Sequence, residues 1–308
     1  MAQGKVSSKS VNLRDKPDLD GKVLVTLGEG TLLEILGEDG DWLKVGLTGF
    51  VNKKFVSRES LPLTPTLSPK GEGDFLWQNP TLKNLRLEPE KLMTPTGTSK
   101  QKQIIATYNQ YGNLLRSVSA ALKMDVGVGL AIMCVESGGV GFKDGKMIIR
   151  FEPHWFHKLW GKANQPAFDR CFKFDSWKGE THFYRTSDKA GWQGFHGNQA
   201  QEWAAFELAR GMNDEAAKKS ISMGLGQIMG FNHKQVGYDS AAPMFNNFNS
   251  DVRFQILGMF DFMTPEMKAA LAKKDFTAFA KSYNGSGQAA SYGKLIADNV
   301  SAWAKLTS

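Results

Sequence analysis

Glu136 is the one acid in a stretch that is otherwise apolar or small, VGVGLAIMCVESGGVGF over residues 126–142. Val126 to Val135 leave no polar face, and a helix that is apolar all round is a buried helix. At about 10 to 12 residues it is too short to span a bilayer. Gly138 and Gly139 follow where a helix takes a left-handed C-terminal cap. Glu136 is therefore expected in the last turn of a buried helix, at the edge of a core. The negative end of the helix dipole lies there and disfavours a carboxylate. Partial desolvation acts in the same direction, so a raised pKa is expected. A carboxylic acid that keeps its proton near neutral pH can serve as a general acid. Taken alone, the same residues also fit a solvated glutamate at an ordinary helix end.

Two later stretches bear on the choice. SMGLGQIMGFN spans residues 222–232 and YNG spans residues 283–285. Their glycines let backbone approach a ligand closely. Ser222, Gln227, Asn232 and Asn284 are polar groups of the kind that hold sugars. A retaining glycosidase keeps a second carboxylate ~5 Å from its acid, and an inverting one ~6.5–9.5 Å away. Glu152, in RFEPHWF, is the best placed candidate, with Asp144, Asp169 and Asp175 behind it. Glu152 equally fits a structural role holding Arg150, His154 or a backbone amide. Ser222 fits tight packing as well as substrate contact, and Tyr283 fits core as well as site. The aromatics Trp155, Phe156, Trp160, Trp177, Trp192, Phe195 and Trp203 could stack on sugar, although most are expected in the core. His154 and His157 stand three apart, with no third ligand in view. No Cys/His spacing matches a zinc site, so neither metal nor cofactor is expected.

The elements that must position these residues are mainly helical. Thr98 or Ser99 reads as an N-cap, followed by Ile104, Ile105, Tyr108, Tyr111, Leu114, Leu115, Val118 and Leu122 at three-to-four spacing. Further helices are expected over 203–211, 214–219, 224–229, 250–262, 264–273, 276–283 and 294–306. Residues 5–57 differ: short alternating runs are separated by turn signals, among them Asp39-Gly40. Five or six strands in so short a span imply a small barrel, with Trp42 and Phe50 expected in its core. Between the two parts, RESLPLTPTLSPKGEG (residues 58–73) is Pro-, Ser-, Thr- and Gly-rich, as an extended linker is. The apolar residues from Phe75 to Leu87 are expected to pack on the domain that follows.

The bulk composition fits this division. Of the 308 residues, 41% are hydrophobic and 22% charged, as in globular proteins. The net charge is +7. Residues 1–58 carry 9 basic and 8 acidic groups, residues 59–98 carry 4 and 5, and residues 99–308 carry 25 and 18, so the excess lies in the last part. A basic surface suits an anionic polymer. The charges are scattered, which does not favour nucleic acid. The start, MAQGKVSSKSVNL, lacks the apolar core of a secretory signal, and no run reaches membrane-helix length.

Several of these stretches resemble known families. VNLRDKP (Val11–Pro17), LGEGTLLEIL (Leu27–Leu36), WLKV from Trp42 and GFV (Gly49–Val51) resemble the bacterial SH3 family, whose members often bind cell wall. The ES-G acid motif, the S-x-G-x-x-Q-I stretch and the Y-N-G turn resemble the goose-type lysozyme and lytic transglycosylase superfamily. VESGGVGF, IIRFEPHWFHKL (Ile148–Leu159), SMGLGQIMGFN and AKSYNGSG are similar to the bacterial and phage N-acetylmuramidases of modular endolysins.

The resemblance implies an α+β multidomain protein: a small all-β SH3-like barrel over residues 1–58, a linker and wrap-around segment over 59–98, and a mainly α lysozyme-like catalytic domain over 99–308. It implies cleavage of the β-1,4 bond between N-acetylmuramic acid and N-acetylglucosamine, with Glu136 as acid and Ser222, Gln227, Tyr283 and Asn284 lining the cleft. Superfamily members that work with a single glutamate give 1,6-anhydro products, so water and the muramic 6-hydroxyl both stand as nucleophiles. A non-catalytic wall-binding protein, a chitinase-like enzyme and, most remotely, a basic nucleic-acid binder are the remaining alternatives. The expected setting is a monomer made in the host cytoplasm, released by a holin-type partner and acting on peptidoglycan strands in the periplasm or wall.

Overall fold

The computed structural model describes residues 2–45, 49–52, 56–57, 75–174 and 182–307. The chain divides into two units, Met1–Thr66 and Leu67–Ser308. The proposed linker, residues 58–73, lies outside the described residues, as do Asp175 and Trp177.

The first unit is a single antiparallel sheet. Its strands are β1 (Ala2–Val6), β2 (Ser10–Arg14), β3 (Val23–Gly28), β4 (Leu32–Asp39), β5 (Trp42–Val45), β6 (Gly49–Asn52) and β7 (Val56–Ser57). They lie in the order β3-β2-β6-β5-β4-β1-β7. Alternation sends Val11 and Leu13, Leu33 and Ile35, and Leu43 and Val45 to one side, where they form the core with Val6 and Leu27. Each buried Val or Leu contributes about 1.5–3 kcal/mol to holding this small sheet together. The Asp39-Gly40 signal does mark a hairpin, with Asp39 opposite Trp42. Trp42 is half-buried and outside the core cluster, contrary to expectation. The pleat that points Leu43 inward turns its neighbour Trp42 away. The Phe50 side chain lies outside the described residues.

The second unit is helical with short strands inserted. α1 (Pro80–Asn84), α2 (Ser99–Ala121) and α3 (Val126–Ser137) come first. Next are β8 (Phe142–Lys143), β9 (Lys146–Met147), β10 (Ile149–Phe151), α4 (Pro153–Leu159), α5 (Gln165–Cys171), β11 (Phe172–Phe174), β12 (His182–Tyr184) and β13 (Gln193–Gly194). α6 (Gln199–Met212), α7 (Asp214–Lys219), β14 (Ile221–Met223) and β15 (Ile228–Met229) follow. The chain then runs through α8 (Ala241–Ser250), α9 (Val252–Phe262), α10 (Pro265–Ala272), α11 (Phe276–Asn284) and α12 (Ala289–Thr307). No described helix is long and apolar enough to cross a membrane.

α2 starts at a capping box: the Thr98 side chain accepts from the Gln101 N–H, and the Gln101 side chain accepts from the Thr98 N–H. α3 is capped by Asp125 and is buried from Gly127 to Cys134. α2 and α12 pack against it, so its apolar surface is covered on more than one side. The segment before α2 joins the same core through Leu76 and Leu82. Asp261 accepts from the backbone N–H groups of Leu76 and Trp77 at 2.9 and 3.2 Å, and Trp77 stacks on Tyr238 with ring centroids 4.2 Å apart.

One expected helix is absent. Residues 224–229 form the turn and return strand of a β14–β15 hairpin, with Ser222 opposite Met229 and Met223 opposite Ile228. Gly224 (φ +66°) and Gln227 (φ +46°) take left-handed backbone, which a right-handed helix excludes. An alanine at Gly224 would also bring its Cβ to 2.5 Å from Gln255.

Candidate active site

Three backbone elements converge on Glu136. α3 ends directly after it, with Gly138 at φ +67° and its N–H on the Met133 carbonyl. The next residue, Ser137, donates to the Leu225 carbonyl at 3.1 Å and so ties the helix end to the hairpin turn. Gln255, wholly buried on α9, accepts from the Leu225 N–H at 3.0 Å and donates to the Phe248 carbonyl at 2.8 Å. Tyr283 on α11 donates to the Gly226 carbonyl at 2.8 Å. Its neighbour Asn284 donates through Nδ2 to Glu136 Oε1 at 2.8 Å. The three glycine-bearing stretches thus meet at one place.

Glu136 is half-buried, and desolvation raises its pKa from 4.5 to about 7. The Asn284 amide opposes that rise by stabilising the ionised form. Burial, with the Glu136 charge behind it, pushes the Tyr283 phenol well above its ordinary range.

Glu136 opens onto a cleft of about 650 Å³. Strand alternation supplies one wall. Arg150 on β10 stands opposite Ser222 on β14, and both face the cleft, while Phe151 and Ile221 are buried in the core. α6 covers the open edge of β10. Gln199 bonds both the N–H and the carbonyl of Ile149 at 2.9 Å, and Glu202 accepts from the Phe151 N–H at 2.9 Å. Glu152 also lines the cleft, as the N-cap residue of α4. Arg150 holds its Oε1 at 3.0 Å and His154 approaches its Oε2 at 3.4 Å.

Of the residues singled out in the sequence, Glu136, Glu152, Ser222, Gln227 and Asn284 line this one cleft. Ser222 donates to Gln227 Oε1 and Gln227 Nε2 donates to the Gly224 carbonyl, both at 2.8 Å, so the pair braces the hairpin turn. Tyr283 is outside the lining and supports the turn from behind, packing on Phe262 and Phe279. Asn232, Asp144 and Asp169 are outside it as well.

None of the described aromatics named above lines the cleft. Phe156, Phe195 and Trp203 are core, Trp155 packs on Phe231, and Trp192 lies between Lys173 and Arg185. The rings that do line it, among the described residues, are Tyr292 on α12 and the His196 imidazole, which no motif marked. Arg150 was named in the sequence only as a partner for Glu152, and Gln199 and Glu202 were not singled out, because the helix expected over 203–211 begins at Gln199 in the structure.

The back of the cleft holds a polar cluster that spacing could not reveal. His196 Nδ1 bonds Glu202 Oε1 at 2.7 Å, and His196 Nε2 faces His182 Nδ1. Burial first, then the charges of His196, His154 and Arg150, lowers the His182 pKa to about 4.

A half-buried acid opening onto a polar cleft, in a mainly helical unit that follows a small antiparallel β unit in the chain, fits the class of modular glycoside hydrolases. A family model described as N-acetylmuramidase matches residues 125–304, more than half of the chain. The chain belongs to that family and is a peptidoglycan hydrolase. A bacterial SH3 domain model matches residues 9–57, in agreement with the sheet described above. Among solved structures the chain is similar to that described as the crystal structure of Burkholderia AP3 phage endolysin, at 25% identity and a TM-score of 0.48, over 62% of this chain and 70% of that one. No curated protein matches.

Proposed function

We propose that Glu136 is the general acid for cleavage of the β-1,4 bond between N-acetylmuramic acid and N-acetylglucosamine. The observation that carries this reading is a half-buried carboxyl that opens onto a polar cleft and accepts from Asn284 at 2.8 Å, where desolvation raises its pKa to about 7. Protonated Glu136 gives its hydrogen to the leaving glycosidic oxygen, and the C–O bond breaks through an oxocarbenium-like transition state. Water adds to the anomeric carbon, and its proton returns to the Glu136 carboxylate. Ser222, Gln227 and Asn284 contact the sugar or its N-acetyl group, and Tyr283 keeps the turn beneath them in place. Residues 99–308 form the catalytic part, and the segment before α2 is its wrap-around extension. The barrel over residues 1–58 holds the cell wall. The chain acts there as a monomer, delivered by a holin-type partner.

Glu152 is the second carboxylate of this reading. Its oxygens already face Arg150 and His154, which favours positioning the cleft wall over direct attack on the sugar. Glu202 is likewise engaged, by His196 and the Phe151 N–H. That no carboxylate lining the cleft, among the described residues, is free of a partner favours a second reading. In it the muramic 6-hydroxyl attacks its own anomeric carbon, and Glu136 alone handles both protons.

The test is turbidity reduction on purified peptidoglycan by wild type and Glu136→Gln, with mass spectrometry of the products. Loss of activity by about 10²–10⁴-fold is expected, the range for removing a general acid. Retention of activity within tenfold overturns the role of Glu136. Products lighter by one water select the second reading.

A further inference from the structure

Glu152, His182 and His196 stand far apart in sequence, on three different segments. Glu152 caps α4, His182 opens β12 and His196 follows β13. One ligand atom from each lies within 4.8 Å of the others. His182 is only 4% exposed. His196 has its Nδ1 fixed by the buried Glu202, whose other oxygen is fixed by the Phe151 N–H. A carboxylate behind one ring nitrogen sets the tautomer and aims the other nitrogen's lone pair, as it does behind metal-bound histidines.

We propose that Glu152, His182 and His196 bind one divalent transition-metal cation of the zinc class, which clips β12 and the segment after β13 to the cap of α4. Two imidazoles and one carboxylate suit zinc and its neighbours and not the oxygen-seeking Mg²⁺ or Ca²⁺. Arg150 occupies Glu152 Oε1, which leaves Oε2 to the cation in place of its longer 3.4 Å contact with His154. With a neutral His196, its Nδ1–H goes to Glu202 and its Nε2 accepts from His182 Nδ1–H, so one hydrogen lies between the two rings. With the cation bound, that hydrogen sits on His182 Nε2 and both facing nitrogens coordinate. From a neutral His196 this takes up the cation with no proton released; from an imidazolium His196 the Nε2 proton leaves to solvent as the cation binds. Because Glu152 and His196 also line the cleft, the fourth position opens toward it and takes water. The role is to hold the cleft wall. It is independent of Glu136 chemistry.

The full chain, stripped with a chelator and dialysed, is titrated with ZnCl₂ by calorimetry and with CoCl₂ by visible absorption. One equivalent of zinc is expected, with cobalt bands of a four-coordinate N/O site. Zinc at about a hundredfold over its Kd is expected to raise the melting temperature of the C-terminal unit by about 5 °C. His196→Ala loses the site. Glu202→Gln, which leaves all three ligands in place, weakens zinc about tenfold or more. Glu136→Gln binds zinc like wild type, so failure of the acid assignment and failure of this site are separate results. Circular dichroism checks each variant for folding, and Glu152→Gln gives a second, more exposed ligand change should His196→Ala unfold. No zinc bound at 100 µM overturns the proposal. So does binding unchanged in both His196→Ala and Glu152→Gln, or binding of Mg²⁺ as tight as zinc.

Discussion

Replacing Glu136 by glutamine should cut activity by about 10²–10⁴-fold and stabilise the fold, and the stabilisation should depend on pH in a set way. The folded-state pKa is about 7 against an ordinary 4.5. For a carboxyl raised on folding, the native state binds the extra proton, so the effect on stability is absent below about 4.5. The unfolded chain then ionises first, and the native state loses ground as pH rises, until the folded carboxyl ionises near 7. A rise from 4.5 to about 7 is worth about 3 kcal/mol in full, of which less than 1 kcal/mol is felt at pH 5 and nearly all at pH 8. Glutamine keeps an oxygen for the Asn284 amide and cannot ionise. Urea unfolding of the C-terminal unit, wild type against Glu136→Gln, should therefore show the variant's advantage growing by about 2–3 kcal/mol between pH 5 and pH 8. A difference that is the same at both values would mean an ordinary carboxyl pKa, and the reasoning about desolvation would fail.

Three further outcomes follow from the same geometry. Asn284→Ala removes the bond that lowers the Glu136 pKa, so the alkaline limb of kcat/KM should move to higher pH while kcat falls; an unmoved limb would detach Asn284 from the acid. Gly224→Ala forces a side chain into left-handed backbone against Gln255, and denaturant unfolding should show a loss of about 3 kcal/mol. Removing residues 1–58 should abolish co-sedimentation with insoluble wall while soluble glycan fragments are still cut at the wild-type rate; retained co-sedimentation would take wall binding away from the barrel.

The placement of Glu136 at the end of a buried helix was legible because its surroundings are local in sequence. The apolar run, Glu136 and Gly138 lie within one helix and its cap, where dipole, burial and left-handed backbone can all be read in a line. The capping box at Thr98 and the Asp39-Gly40 hairpin are local in the same sense. The 222–232 stretch misled for a related reason. Its apolar residues suit a helix, and only the left-handed backbone at Gly224 and Gln227, imposed by the buried Gln255 from another element, turns it into a hairpin. Trp42 misled because an aromatic beside Leu43 in a four-residue strand leaves open which of the two points inward. Tyr292 and the His182–His196–Glu202 cluster carry no local signal, since their partners come from distant segments brought together only by packing.

The central claim is that one carboxyl holds its proton near neutrality, and a carbon-13 NMR titration of the glutamate side-chain carboxyls reads it directly. The resonance that disappears in Glu136→Gln should titrate with a midpoint near 7. A midpoint between 4 and 5, the ordinary glutamate range, would contradict the account.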